Sequence, residues 1–593
     1  MAIIGIDLGT SNTLACVFQN GRPTLIPNRD GGFLTPSAVS LDEDGSLLVG
    51  KAARERLDSH PKQTAASYKV FMGSRREILL KDHVFQPEEL SALVLRQIKD
   101  DAQRFLGETI EEAVISVPAY FNDDQRCATK LAAELAGLKV SRLINEPSAA
   151  AVFHRWQNPQ AGDGKLMIVD FGGGTLDVSI VECFENIIEI QAIAGDNRLG
   201  GDDIDQAIAA YFCQQNGLVQ GALAQDQLAA LLKVSRKAKH NLSEPGIDFT
   251  VLCMETSEGK FQMELDQILL AQLCEPLFQR VEQVLRRAME DPNIACNIRQ
   301  IVLVGGSSCM PVFQEFLQKR TSVKPILVDN PDHIVALGVG LCAGIKERKG
   351  ELQDIVMTDV CPFSLGVASY NSPSDTHPHI SVLIPRGTML PASRSDRFHT
   401  LSDGQKFLKF EIYQGERYFA SENLKLGELQ IQVPYGPAGS GSAQVMFTYD
   451  INGILHVEAI SNGGQRRETV ILNPRLRLSP TQLETEMHRL EQFKLSVYAA
   501  KEQALFQEAL HLYTQLSGEL RRYLGVMINA YSMAQDSGEP IWILRETKRL
   551  ESFVQGIKDQ AAEDPLLIFR EMAEQTEWHE AEFEAFEEDE ADE

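Results

Sequence analysis

The spacing of apolar and polar residues changes along the chain and divides it into predicted domains. From residue 1 to about 350, short apolar runs such as 167–169 and 301–304 alternate with helical spacing such as that from Asp124 to Leu138. Continuous apolar runs are typical of buried strands, and a 3.6-residue period is typical of helices. This part of the chain therefore predicts a layered α/β domain.

Two different patterns follow. Residues 351–360 are a short stretch whose apolar centre, Ile355 to Met357, is unusual for a solvated linker, so we expect it to dock in at least one state. Residues 361–478 show short strands and turns, which predict a β domain. The clearest hairpin spans residues 445–457, where Asn452-Gly453 predicts a tight type I′ turn.

A helical region is predicted for residues 479–576. Ser479 can act as an N-cap, Pro480 fits the first helical position, and Gln482 can complete a capping box. One face of the helix that begins there is apolar, through Leu483, Met487 and Leu490.

Composition narrows the expected partners. The 593 residues include 56 basic and 83 acidic side chains, a net charge of −27, and ten of the acids lie in a predicted solvated tail, 577–593. No basic stripe opposes this charge, so neither nucleic acid nor an anionic membrane is expected as a partner. The chain shows no signal-like or membrane-spanning run, so we expect a cytoplasmic protein. Ten cysteines without a Cys-x-x-Cys pair predict reduced thiols.

Two similar segments carry the candidate chemistry. In Ile6–Leu14 and again in Val169–Asp177, a buried strand ends in Asp and leads through a turn of small residues into a second strand. Glycine turns let backbone N–H groups approach an anion, and Asp7 and Asp170 can hold Mg²⁺ through water. One Asp-x-Gly turn is common, but two facing copies would bind the phosphates and metal of a nucleotide from both sides. A third turn, Gly305-Gly306, could pass beneath the nucleoside.

These motifs, with others in the same order, resemble the DnaK-type chaperones of the heat shock protein 70 family. The resemblance covers about residues 2–475, and within the family the bacterial HscC branch is the most similar. The further matching motifs are residues 117–121, 144–150, 330–332, 363–367, 413–416 and 450–457. The implied architecture is an actin-like, duplicated ribonuclease H-like ATPase domain (1–350), a linker (351–360), a β-sandwich peptide-binding domain (361–478), an α-helical lid (479–576) and an acidic tail (577–593).

The resemblance implies a bacterial ATPase that uses ATP hydrolysis to control the binding and release of extended hydrophobic segments of unfolded proteins. ATP or ADP and Mg²⁺ are the implied cofactors, with K⁺ as a further candidate ion. A J-domain co-chaperone is the implied partner, a nucleotide exchange factor is a candidate one, and the protein is expected to be monomeric. Two alternatives on the same fold stay open: a small-molecule kinase, and a filament-forming or scaffold protein. The linker and β domain favour the chaperone, because a kinase needs a second substrate pocket within the nucleotide domain and a filament needs no peptide clamp.

The resemblance also implies individual roles. Taken alone, Lys69 would be interpreted as a surface lysine, and Glu146, which precedes Pro147, as a turn residue. The implied catalytic residues, which position Mg²⁺, the attacking water and the γ-phosphate, are Asp7, Lys69, Glu146, Asp170 and Thr175. The implied nucleotide contacts are Gly9, Thr10, Ser11, Gly172, Gly173, Gly174, Lys239, Ser243, Gly305, Gly306, Ser307 and Asp332.

The adenosine side departs from the family pattern. Arg236 stands where the family has glutamate, and His240 stands where it has arginine. A guanidinium has no hydrogen-bond acceptor, so it cannot replace a carboxylate that accepts from ribose hydroxyls. We therefore predict weaker binding or faster exchange of the nucleotide.

Coupling between the domains is implied for Pro118, Arg126 and Asp359, and a J-domain partner is implied near Arg142, Asn145 and Asp359. Each of these residues could also be an ordinary surface residue of a helix. The implied peptide-binding positions are Val367, Tyr370, Phe398, Leu401, Leu408 and Phe410. Several are bulkier than is usual in the family, which predicts a restricted set of clients. Each could equally be part of the β-domain core.

Overall fold

The structure is a computed structural model, and the part of the chain that it describes has several gaps. The described residues are 2–42, 45–158, 163–184, 187–256, 259–347, 356–370, 377–451, 453–471, 478–493, 505–506, 508–510, 512–513, 518–537 and 540–560. Within these ranges, no helix has the length and apolar character needed to cross a membrane. The predicted acidic tail lies outside them.

The first lobe of the α/β domain is built around a mixed sheet, and two of the helices of this lobe share a buried core with it. Its strands are β1 (Ile3–Leu8), β2 (Asn12–Gln19), β3 (Arg22–Ile26), β4 (Thr35–Pro36), β5 (Ala38–Leu41), β6 (Leu47–Val49), β7 (Thr64–Ala66), β8 (Ile78–Leu80), β9 (His83–Phe85), β10 (Glu112–Val117) and β11 (Lys139–Asn145). Its helices are α1 (Lys51–Ser59), α2 (Pro87–Leu106) and α3 (Asp123–Leu135). The main sheet has the order β11-β10-β1-β2-β3, with β4 beside β2.

The second lobe repeats this plan. Its helices are α4 (Glu146–Gln157), α5 (Gly201–Gln215), α6 (Gln225–Asn241), α7 (Gln267–Ala288), α8 (Pro292–Ala295), α9 (Pro311–Thr321) and α10 (Ile334–Lys346). Its strands are β12 (Gly164–Phe171), β13 (Leu176–Phe184), β14 (Ile187–Asp196), β15 (Phe249–Thr256), β16 (Gly259–Asp266), β17 (Ile298–Val304) and β18 (Ile326–Leu327). The main sheet has the order β18-β17-β12-β13-β14, extended by a short strand from the linker.

Helices α4 and α10 lie between the two sheets and join the lobes. They share a buried core with residues of both sheets. At their crossing, a Cβ on Gly338 would lie only 2.0 Å from the backbone oxygen of Ala149, so the close approach requires glycine there. This contact fixes how the two lobes face each other.

The linker docks as an additional strand. Val356–Thr358 forms β19, which pairs in parallel with β14 through Ile187↔Val356 and the two following pairs. The expectation that the apolar linker docks is confirmed for Val356 and Met357. Ile355 lies outside the described residues, as do 348–355 and 472–477, so the predicted boundaries of the linker and the lid stay predictions.

The β domain consists of two antiparallel four-stranded sheets that enclose one core. Its strands are β20 (Leu365–Ser369), β21 (His379–Ile384), β22 (Ala392–His399), β23 (Phe407–Gln414), β24 (Leu424–Gln432), β25 (Ser442–Tyr449), β26 (Leu455–Ser461) and β27 (Arg466–Ile471). One sheet has the order β21-β20-β23-β24 and the other β22-β25-β26-β27.

The predicted hairpin at residues 445–457 is present, but its turn differs from the prediction. Tyr449 pairs with Leu455, Asp450 N donates to Ile454 O at 3.1 Å, and Gly453 N donates to Asp450 O at 3.1 Å. Gly453 has φ 75°. This is a three-residue loop in which glycine occupies a bulge after the turn, so the type I′ assignment is wrong. Asn452 itself lies outside the described residues.

The helical region begins as predicted, and its first helix packs on the first lobe. Its described helices are α11 (Pro480–Glu491), α12 (Gly518–Ser537) and α13 (Pro540–Gln560). Ser479 caps α11 and forms a capping box with Gln482. Leu490 is buried in the core of the first lobe, and Leu483 and Met487 pack against that core. The ten cysteines form no disulfide.

Candidate functional site

The two predicted Asp hairpins face each other across a cavity of about 370 Å³ between the lobes. Asp7 pairs with Leu14 in one hairpin, and Asp170 pairs with Asp177 in the other. Every predicted catalytic and nucleotide-contacting residue lines this cavity except Gly174. The sequence prediction thus identified residues from both lobes that the fold brings together.

The glycines in the turns are needed for contact between the two loops. A Cβ on Gly173 would lie 2.0 Å from Ser11 Oγ, and one on Gly174 would lie 2.9 Å from Thr10 Cγ2. Both distances are far below van der Waals contact. These glycines were expected to let backbone N–H groups approach an anion. The structure shows a second requirement for glycine, which is the packing of one loop against the other.

A buried ion pair forms one wall of the cavity. Lys69 Nζ lies 2.8 Å from Glu146 Oε1 and 5.4 Å from the centre of the Phe121 ring. Lys69 is 4 % exposed and Glu146 is 7 % exposed. This low exposure shows that Lys69 is not a surface lysine. It lies in a short 3₁₀ segment of the first lobe, Tyr68–Phe71, that directs its side chain into the cavity.

Asp7 and Asp170 lie close to this pair in a strongly acidic setting. Burial and the charge of Glu146 raise the pKa of Asp7 well above its usual range, although the hydrogen bond from Ser116 Oγ, 2.6 Å from Asp7 Oδ1, acts in the opposite direction. Burial, Glu146 and Asp177 likewise raise the pKa of Asp170. The carboxylates outnumber Lys69, so a further cation would favour their ionised forms.

This donor set fits Mg²⁺. Among the described residues, no three His, Cys, Asp or Glu side chains form a group that could hold a metal ion by themselves. Mg²⁺ usually binds through one or two carboxylates together with waters and substrate phosphates. Asp7 and Asp170 would hold the ion, which would supply positive charge to the phosphates when bound.

The third glycine turn closes the floor of the cavity. Gly305 has φ 81°, and a Cβ there would lie 2.6 Å from Asp170 Oδ1. Ser307 Oγ donates to Gly172 O at 2.8 Å, which ties this turn to the second hairpin. Asp332 Oδ1 would lie 3.0 Å from a Cβ on Gly306, so it stands directly beside the turn. Thr175 is 8 % exposed and lines the same cavity.

The outer end of the cavity carries the residues aligned with the adenosine contacts. Lys239 Nζ lies 2.6 Å from Asp205 Oδ1 and donates to Gly201 O at 2.6 Å. Ser243 Oγ donates to Lys239 O at 3.0 Å. Partial burial and the charge of Lys239 lower the pKa of His240, which favours the neutral imidazole.

Arg236 is neutralised by two carboxylates. Its guanidinium lies 2.5 Å from Asp202 Oδ1 and 2.8 Å from Asp205 Oδ2. Sequence reasoning missed Asp202, whose only signal was its place after Gly200-Gly201 at the start of α5. Asp202 lines the cavity and has acceptor oxygens, so the site retains a carboxylate near the position where Arg236 replaces one. The predicted effect of Arg236 on nucleotide affinity stays a prediction.

Two contacts join the lobes across the mouth of the cavity. Ser67 Oγ of the first lobe donates to Asp202 Oδ2 at 2.7 Å, and Lys233 Nζ of α6 lies 3.4 Å from Glu55 Oε2 of α1. Nucleotide that enters or leaves between α1 and α6 must separate these groups. The Ser67 contact is the shorter of the two, whereas the Lys233–Glu55 pair is longer and partly exposed, and exposed ion pairs contribute little.

We expect Ser67→Ala to accelerate ADP release by roughly 10- to 150-fold, since one hydrogen bond to a charged group contributes about 1.5–3 kcal/mol to the closed cleft. Stopped-flow release of fluorescent ADP measures this rate. Ser59→Ala, at an exposed serine nearby, is the matched control and should leave the rate unchanged. An unchanged rate in Ser67→Ala would contradict a role for this contact in closing the cleft.

Two of the residues with implied coupling roles, Arg126 and Asp359, are joined through Asn145 beside the β domain. Arg126 donates to Asn145 Oδ1 at 2.6 Å, and Asp359 Oδ1 accepts from Asn145 Nδ2 at 3.0 Å and from Ser148 Oγ at 2.7 Å. Pro118 is buried at the end of β10. Arg126, Asn145 and Asp359 also line a small cavity beside Tyr449 of the β domain.

The predicted peptide-binding residues fall into two groups. Val367, Leu408 and Phe410 are buried in the β-domain core, with exposures of 0 %, 6 % and 3 %. Phe398 packs against that core and contacts Phe410, with ring centres 5.5 Å apart. The two solvent-facing positions are Tyr370 and Leu401.

The two-lobed domain with its opposed glycine turns, followed by a docked linker, a β-sandwich and helices, defines a multidomain nucleotide-binding protein. A family model described as Hsp70 protein matches residues 3–80 and 75–564. The chain therefore belongs to the Hsp70 family. Proteins of this family are ATP-dependent chaperones: they are ATPases that bind ATP or ADP with Mg²⁺, act on unfolded polypeptides and work with J-domain co-chaperones.

Proposed function

We propose that this protein is a chaperone of the DnaK type, a specialised relative of the HscC branch, in which ATP hydrolysis controls the binding and release of extended hydrophobic segments. One observation carries the proposal. Asn145 and Glu146 are adjacent in the chain, and Asn145 holds linker residue Asp359 while Glu146 holds Lys69 in the cavity. A shift at the start of α4 therefore moves both the catalytic wall and the linker.

The chemistry follows from the side chains of the cavity. Phosphoryl transfer to water depends mainly on positioning and positive charge, because its transition state is loose. Lys69 would contact the γ-phosphate, Glu146 would orient the attacking water, and Thr175 would position the phosphate from the second hairpin. Asp7 and Asp170 would keep Mg²⁺ and its waters in place. Hydrolysis removes the contacts that link the two hairpins through the γ-phosphate, which would allow the start of α4 to shift.

The β domain would bind the features that unfolded chains share, which are an extended backbone and occasional large apolar side chains. An extended backbone can bind through main-chain hydrogen bonds, and an apolar side chain can enter a pocket. Binding at this domain would be transmitted through Arg126, Asn145 and Asp359 to the cavity. A J-domain partner would approach near Arg142 and Asn145, beside the docked linker.

Single-turnover ATP hydrolysis, measured with and without an unfolded peptide and a J-domain protein, tests the proposal. We expect both additions to accelerate hydrolysis, with the larger effect when they are combined. Hydrolysis that is insensitive to both would contradict it. Transfer of phosphate to a small metabolite would instead support a kinase.

The proposed restriction of the client range can be tested separately at Leu401. This side chain is 36 % exposed, so Leu401→Ala opens space without emptying the core. We expect the variant to bind several-fold more peptides of an array above a fixed signal, because less volume is excluded. Leu79→Ala in the first lobe, at a leucine that is 62 % exposed, is the control. A wild-type protein that already shows the broad preference for leucine-rich segments would contradict the narrowed range.

A further inference from the structure

A buried acid with an unpaired carboxylate oxygen lies where the β domain meets the first turn of α3. Asp123 is 2 % exposed, and its backbone N–H donates to Gln414 Oε1 of the β domain at 3.0 Å. Its side-chain Oδ1 has no hydrogen-bond partner, and neither do the hydroxyl of Tyr449 and Nε2 of Gln414 in the same interface. Buried polar atoms are rarely left unpaired, so this cluster disfavours docking of the domains when Asp123 is charged.

The groups around Asp123 do not compensate its charge. On its own helix, Asp124 acts against ionisation, and Cys127 also faces Asp123. Arg126 favours ionisation, but its guanidinium is already bound to the carbonyls of Phe121 and Ala119 and to Asn145.

None of the described residues of the β domain contributes a positive charge to this environment. Its facing groups are Asp450, Tyr449 and Cys361, and Asp450 also acts against ionisation. The start of a helix favours a negative charge only modestly. Burial, followed by Asp124, raises the pKa of Asp123 to about 8.

Docking itself creates this environment, because Gln414 and Tyr449 belong to the β domain. When the domains separate, Asp123 returns to water and to the ordinary pKa of an aspartate, about 4. We propose that Asp123 makes docking of the β domain on the α/β domain dependent on proton uptake, so that the docked arrangement is favoured at low pH. The inference goes beyond the proposed function and rests on it only in taking docking to be reversible.

The direction of the pH effect follows from linkage. The docked state has the raised pKa, so it binds a proton that the separated state releases. Docking is strongest below about pH 4 and weakens as pH rises, by up to tenfold per pH unit, until the pKa of the docked state is passed near pH 8. Above that value both states are ionised and the dependence ends.

Hydrogen exchange of the Asp123 amide in the full-length protein tests this. The amide is at the first position of α3, where it has no partner within the helix, so docking protects it through Gln414. We expect its protection factor, corrected for the intrinsic pH dependence of exchange, to fall about tenfold between pH 6.5 and 7.5 and to level off above pH 8.

Asp123→Asn keeps the size of the side chain and removes the charge, and its amide should stay protected at every pH. Asp123→Ser is the second neutral variant if the first does not fold. Asp124→Asn removes a charge from the same turn and should keep the pH slope. A flat wild-type profile, or an unchanged slope in the neutral variants, would overturn the proposal. Failure of peptide-stimulated hydrolysis would affect only the proposed function, since this readout needs no ATPase activity.

Discussion

Lys69→Gln is expected to lower kcat for ATP hydrolysis by about 10²- to 10³-fold, the usual effect of removing one preorganised donor from a developing negative charge. Lys69 is the cation in contact with the acidic wall of the cavity, and its pairing with Glu146 holds it in place without solvent. The neutral glutamine keeps hydrogen-bonding capacity but cannot offset charge on the transferring phosphate. Single-turnover hydrolysis at saturating ATP measures the step directly.

The same change should also reduce stability. Glu146 would be left buried without its partner, which typically costs about 3–5 kcal/mol. Adding Glu146→Gln should restore most of the unfolding free energy, because a neutral pair can share a hydrogen bond, but it should not restore hydrolysis. This double variant separates loss of charge from loss of folding.

Lys319→Gln is the matched control, since that lysine side chain is 76 % exposed and pairs with Glu315 on its own helix. It should change neither the rate nor the stability. Hydrolysis by Lys69→Gln at more than a third of the wild-type rate would show that Lys69 does not act on the phosphate.

The sequence alone predicted the parts of the site that depend on local order. Asp7 and Asp170 could be identified because each ends an apolar strand before a turn of small residues, and the duplication made both recognisable. The N-terminus of α11 could be predicted for a similar reason, since Ser479 and Gln482 lie within one turn of each other. In both cases the residues that determine the structure are neighbours in the chain.

The contacts that depend on distant residues could not be predicted in this way. Asp202 meets Ser67 across 135 positions, and Asp123 meets Gln414 across 291. Their partners become neighbours only after the lobes and domains have packed. For the same reason, the sequence could not show that Arg236 would be neutralised, because both of its carboxylates come from another helix.

The β domain shows a different limit. Val367, Leu408 and Phe410 have the apolar character expected both of a peptide pocket and of a core, and the alternation of the strands does not separate the two. The structure buries all three in the core cluster. The type I′ turn predicted at Gly453 requires a positive φ, and the glycine does have one. The number of residues in the loop, however, depends on the pairing of Tyr449 with Leu455, which the residue type does not indicate.

Asp359→Ala is expected to weaken docking of the linker by about 10²-fold and to make ATP hydrolysis insensitive to peptide. Asp359 Oδ1 accepts hydrogen bonds from Asn145 and Ser148 at a buried position. Each such bond to a charged group contributes about 1.5–3 kcal/mol, so loss of both costs at least about 3 kcal/mol. Since about 1.4 kcal/mol corresponds to a tenfold change in an equilibrium constant, docking should weaken by about 10²-fold or more. Basal hydrolysis should persist, because the cavity keeps Lys69 and Glu146.

Hydrogen exchange of the amides in Val356–Thr358 reports the docking equilibrium, and the ratio of peptide-stimulated to basal hydrolysis reports the coupling. Ser148→Ala removes one of the two bonds, so it should produce an intermediate change of about tenfold in docking. Asp396→Ala, at an exposed aspartate of the β domain, is the control.

If Asp359→Ala lost linker protection but kept the stimulation, the signal would have to pass through contacts other than the linker, such as that between Asp123 and Gln414. If protection were also kept, the network through Asn145 would have no part in coupling the domains.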